Sequence, residues 1–99
     1  MPSAASSNCC RPVSYALSAS IFRALGHPTR VMVVATIGKG ERCVQQLTDR
    51  AGCDISTMSN HLSVLRQAGV LSSERRGSHV FYRVALPCVL DFVGCLVPR

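Results

Sequence analysis

The chain has 99 residues, enough for one compact domain that buries roughly two-thirds of its unfolded surface and too few for two independent cores. Hydrophobic residues make up 47%, which excludes a disordered chain, and with no Trp the core must be built from Leu, Val, Ala, Ile and Met. Eleven Lys and Arg against five Asp and Glu give a net charge of +6, which suits a polyanionic partner without requiring one.

No apolar run approaches the length needed to cross a bilayer, and the segment from Met1 to Arg11 has Ser and Ala where a signal peptide would be apolar. A cytoplasmic protein is expected. A reducing cytosol does not maintain structural disulfides, so the six Cys are candidates for thiol chemistry or for burial as small hydrophobes.

Residues 1–12 are small, polar and interrupted by Pro2 and Pro12, and they read as a flexible N-terminal arm ahead of a single domain over residues 13–97. Tyr15, Leu17, Ile21, Phe22 and Leu25 fall at helical spacings and define a first helix ended by Gly26. Pro28 opens a second, which Val31, Val33, Val34 and Ile37 carry to Gly38, although so many valines also suit a strand. Val44, Leu47 and Ala51 mark a short third helix stopped by Gly52. Asp54 is a good N-cap for a fourth, running to about Ala68, in which Ile55, Met58, Leu62 and Leu65 form one inward stripe. Beyond Gly69 the residues from Val70 to Arg75, the turn Arg76-Gly77-Ser78 and the alternation from His79 to Val84 predict a two-stranded hairpin. Pro87 opens a last helix with Leu90, Val93 and Leu96 on its apolar side. The fold class is mainly α with a small β-hairpin, in the order ααααββα.

Residues 43–68 supply a short helix, a tight turn and a second helix with one face free to enter a groove about 12 Å wide. That free face carries Ser56, Thr57, Asn60, Ser63 and Gln67, with Ser59 and His61 close by, all short, amide-bearing or imidazole side chains able to reach base edges and phosphates. Ser56 and Thr57 lie in the first turn, where exposed backbone N–H groups favour a phosphate. Arg75 and Arg76 at the hairpin tip, with Arg83 on its return strand, are placed as a wing beside this helix. From Ser56 to Arg83 there are four Arg, no Lys and one Glu, which favours double-stranded DNA over a merely solvated face. No nucleophile and base pairing, phosphate-cradling glycine loop or acidic pair suggests an enzyme.

Three segments together resemble the ArsR family of winged-helix, metal- and metalloid-responsive repressors. They are Phe22 to Arg30 (FRALGHPTR), Ser56 to Leu62 (STMSNHL) with Leu65 and Ala68 to Leu71 (AGVL), and the wing from Arg75 through Tyr82. The resemblance spans about residues 13–97. It implies a homodimer formed by the first and last helices, a palindromic operator, DNA binding that requires no cofactor, and release by a small inorganic inducer.

Arsenic-sensing members commonly carry Glu-Leu-Cys-Val-Cys-Asp-Leu at the start of the third helix, and here Glu41 to Leu47 reads ERCVQQL, so only Cys43 matches a family thiol and Gln45 replaces the other. As(III) and Sb(III) take three thiolates. Some members use an N-terminal Cys pair, so Cys9 and Cys10 with Cys43 become the expected ligand set for As(III), Sb(III) or another thiophilic ion, and Cys88 and Cys95 on the last helix form an alternative. Those two are about 10.5 Å apart along one helix, too far to hold one ion without a partner, and packing is a competing reading for both. Cys53 reads as core, and the His and carboxylate pattern of zinc sensors is missing apart from Asp91. Two other functions stay open: a redox or reactive-sulfur sensor on the same scaffold, and a protein-interaction module without DNA binding.

Overall fold

The computed structural model describes residues 15–97. Five helices surround one core in the order α1 (Tyr15–Ala24), α2 (Pro28–Ile37), α3 (Val44–Ala51), α4 (Ile55–Gln67) and α5 (Pro87–Leu96). Three strands, β1 (Arg42–Cys43), β2 (Leu71–Arg76) and β3 (His79–Val84), form one antiparallel sheet in the order β1-β3-β2.

The valine-rich segment is a helix because its start is specified by polar chemistry. His27 has extended backbone at the N-cap, its Nδ1 accepts the Thr29 N–H at 3.1 Å, and Pro28 follows in the first turn, where its missing N–H costs nothing. Val33 and Val34 are then fully buried and Ile37 nearly so. Leu47 of α3, Met58, Leu62 and Leu65 of α4, and Val70 complete the sealed centre, and Val89 and Val93 of α5 close it from the far side. Each such side chain contributes roughly 1.5–3 kcal/mol by leaving water.

Gly52, with φ +74°, makes the left-handed turn that reverses the chain between α3 and α4. An L side chain there would be strained, so this glycine sets the angle between the two helices. The α4 helix starts at Asp54, whose Oδ1 accepts the Thr57 N–H at 3.1 Å.

Two expectations are corrected. The helical spacing puts Ile55 on the inward stripe of α4, but it is 52% exposed, because as the first residue of the helix it lies beyond the layer that Met58 reaches. The hairpin also gains a third strand: Arg42 pairs with Tyr82 and Cys43 with Phe81, in a strand of two residues that is too short to show an alternation. In the hairpin itself Leu71 pairs with Val84 and Arg76 with His79, leaving Gly77 and Ser78 as the connecting loop, with Gly77 at φ +61°.

Candidate nucleic-acid interface

The recognition unit is anchored on one side and open on the other. Met58, Leu62 and Leu65 are wholly buried, whereas Ser56, Thr57, Ser59, Asn60 and Gln67 are exposed and Ser63 is half-buried. The exposed set begins at the helix N-terminus, where the Asp54 carboxylate is held below its ordinary pKa by hydrogen bonds from Thr57, from side chain and backbone. A carboxylate there also complements the helix dipole.

His61, expected to face the groove, points inward. It is 7% exposed, and its Nδ1 accepts a hydrogen bond from Arg30 Nε at 3.1 Å. A side chain in this position cannot reach a base edge while that bond is kept. The sequence held the signal: His61 is three residues after Met58 and four before Leu65, on the buried stripe itself. Burial, then His27, then Arg30 hold its pKa below the ordinary imidazole value.

In the wing, Arg75 and Arg83 are exposed. Arg76 is at the surface but committed: its guanidinium gives Nη1 to Glu41 at 2.6 Å and Nη2 to Glu41 at 2.8 Å and Glu74 at 2.9 Å, and lies 4.7 Å above the centre of the Phe81 ring. Two carboxylates raise the Arg76 pKa, and Arg76 in turn holds the Glu41 carboxyl low. Sequence reading missed both the Glu41 to Arg76 pair and the Arg30 to His61 pair because their partners stand 35 and 31 residues apart. Local periodicity carries no such signal.

Of the expected thiols, Cys9 and Cys10 lie outside the described residues. Cys43 is half-buried where β1 meets α3, and its N–H donates to Gln46 Oε1 at 3.0 Å. Cys88 is half-buried and Cys95 exposed on α5, and Cys53 packs against the core. Among the described residues, no group of three or more His, Cys, Asp or Glu is arranged to hold a metal ion, and no helix is long and apolar enough to cross a membrane.

Residues 25–74 match the model of a helix-turn-helix domain family. The chain is 36% identical over 78 residues to the biofilm growth-associated repressor of Xylella fastidiosa, covering 79% of this chain and 68% of that one. Among solved structures, the homodimeric winged helix-turn-helix DNA-binding domain Mb0332 of Mycobacterium bovis, described as a possible ArsR-family regulator, superposes with a TM-score of 0.74 at 25% identity, over 82% of this chain and 75% of that one. The chain belongs to the ArsR family. A further ArsR-family relative, the transcriptional repressor SmtB of Mycobacterium tuberculosis, is 38% identical over 65 residues, covering 66% of this chain. This ArsR-family chain spans about half (48%) of the length of that SmtB repressor. Both relatives are named as repressors, and the segment shared with this chain includes the helix-turn-helix.

Proposed function

We propose that this regulator is a cytoplasmic, sequence-specific repressor that binds a palindromic operator as a homodimer and leaves it when a thiol-binding inducer arrives. One observation carries the DNA reading: α4 is fixed to the core by Met58, Leu62 and Leu65 while its Ser56, Thr57, Ser59, Asn60 and Gln67 are exposed, as are Arg75 and Arg83 of the wing. Short polar groups on a rigid helix discriminate base edges, and arginines in the wing hold the phosphate backbone.

Dimerisation is supported by the apolar outer sides of α1 and α5. Tyr15, Phe22, Phe92 and Leu96 are all exposed, and the Phe22 and Phe92 rings meet edge to face at 5.5 Å, so one greasy surface spans both helices. A two-fold axis through it would present two copies of α4 to successive turns of one duplex face.

The inducer we assign is As(III), Sb(III) or another thiophilic ion held by Cys43 together with Cys9 and Cys10. In support, Cys43 is hydrogen-bonded into the wing sheet opposite Phe81, so an ion drawing on its sulfur would pull on the strand that carries Arg83. The test is a gel shift on a duplex from the chain's own upstream region, under reducing conditions, with arsenite, antimonite, cadmium, zinc and persulfide as arms. Release by arsenite that disappears in a Cys9→Ser, Cys10→Ser variant supports the assignment. Release by persulfide alone would move it to reactive sulfur, and no retarded band at any salt concentration would contradict DNA binding itself.

A further inference from the structure

The best-buried polar side chain in the described chain sits on the recognition helix and has no part in reading bases. Arg30 Nε donates to His61 Nδ1 at 3.1 Å, and Arg30 Nη1 donates to the Ala24 carbonyl at 3.3 Å, so one guanidinium ties α4 to α2 and to the end of α1. The His27 ring lies 4.5 Å from that of His61. A guanidinium is always protonated, so Nδ1 of His61 must offer a lone pair, and the ring is the neutral tautomer with its proton on Nε2.

We propose that the Arg30 to His61 hydrogen bond is a positioning device for the recognition helix, intact only while the His61 imidazole is neutral. This rests on the reading of α4 as the DNA-contacting helix. A proton on Nδ1 would set one N–H against another and one cation against another. The groups that act on His61 are His27, which caps α2, and Arg30, and both are cationic when protonated. Arg23 of α1, Asp49 and Arg50 of α3, and Glu74, Arg75 and Arg76 of β2 belong to the other elements packed on α4, and none is among the groups that shift His61. No carboxylate among the described residues compensates, so the protonated ring leaves its site. Ser59 and Asn60 immediately precede it on the same helix and move with it.

The sign of the effect separates this from ordinary electrostatics. Adding protons to a cationic protein tightens its hold on phosphates, whereas a displaced recognition helix loosens it. Affinity for a duplex from the chain's own upstream region, measured by fluorescence anisotropy at constant ionic strength from pH 8 to pH 5, should fall by up to about tenfold per pH unit for each bound protomer once His61 titrates. His61→Asn, whose Oδ1 stands where Nδ1 was, should keep the affinity of pH 7.5 and lose the fall. His27→Asn, which keeps a cap acceptor, should retain it. Independently of any variant, the 15N spectrum of histidine-labelled protein at pH 7.5 should show His61 unprotonated at Nδ1. An affinity that is flat or rises on acidification, a fall that persists in His61→Asn, or a protonated Nδ1 would overturn the inference. A protein that binds no duplex at any pH would instead overturn the DNA reading, and the positioning role with it.

Discussion

Two residues of α4 exchanged roles between pattern and structure, and the reason is the same for both. A stripe drawn through Ile55, Met58, Leu62 and Leu65 by polarity alone takes in the exposed Ile55 and leaves out His61. Geometry puts His61 between Met58 and Leu65 on the buried side, where Arg30 gives its ring a partner, and leaves Ile55 exposed at the first position of the helix. A buried polar group is acceptable only when bonded. His61, held below the ordinary imidazole value of 6.5, contributes stability that is fully present above the unfolded pKa and lost as pH falls through the lower folded one. Glu41 and Asp54 act the same way further down, below the ordinary carboxylate range. Urea midpoints measured against pH should therefore fall in two limbs, and His61→Asn should remove only the upper one. At the other end of that helix turn, Asp54→Ala should lower the melting temperature while Asp54→Asn, an equally good cap, leaves it nearly unchanged.

At the scale of elements, the helices are legible because their ends are written in the chain: Pro28 opens α2 and Pro87 opens α5, while Gly38 stops α2 and Gly52 stops α3 with positive φ. The strand Arg42–Cys43 is not, since two residues carry no period and only the partner β3 makes them a strand. The wing was found, but not the division of labour inside it. Arg76 spends its charge on Glu41 and Glu74, whereas Arg75 beside it forms no ion pair among the described residues. If Arg75 holds a phosphate, Arg75→Ala should reduce the slope of log affinity against log salt by about one per protomer, and Arg76→Ala should reduce it less. Asn60→Ala tests the helix instead: it should cost about 1–3 kcal/mol per half-site on the best duplex and relax preference at one base pair of each half-site.

Across the whole molecule, the core and the exposed apolar face make separate demands. Leu65 is fully buried among Val33, Leu47 and Met58, so Leu65→Ala should destabilise the fold by roughly 2–5 kcal/mol in chemical denaturation. Phe92 is 41% exposed, so Phe92→Glu should leave that stability nearly intact while lowering the sedimentation coefficient to that of a monomer. Composition supplied the charge of +6 but not its placement, and the thiols show the same limit: six Cys are plain in the sequence, while their grouping depends on how α3, α5 and the first fourteen residues meet in the assembly. The central claim is that two outward faces of α4, related by a two-fold axis, read one duplex. A hydroxyl-radical footprint on the chain's own upstream region tests it most directly. The account predicts two protected half-sites with dyad symmetry, their centres separated by about 34–36 Å or a multiple of it. Protection at a single site, or uniform weak protection along the fragment, would contradict it.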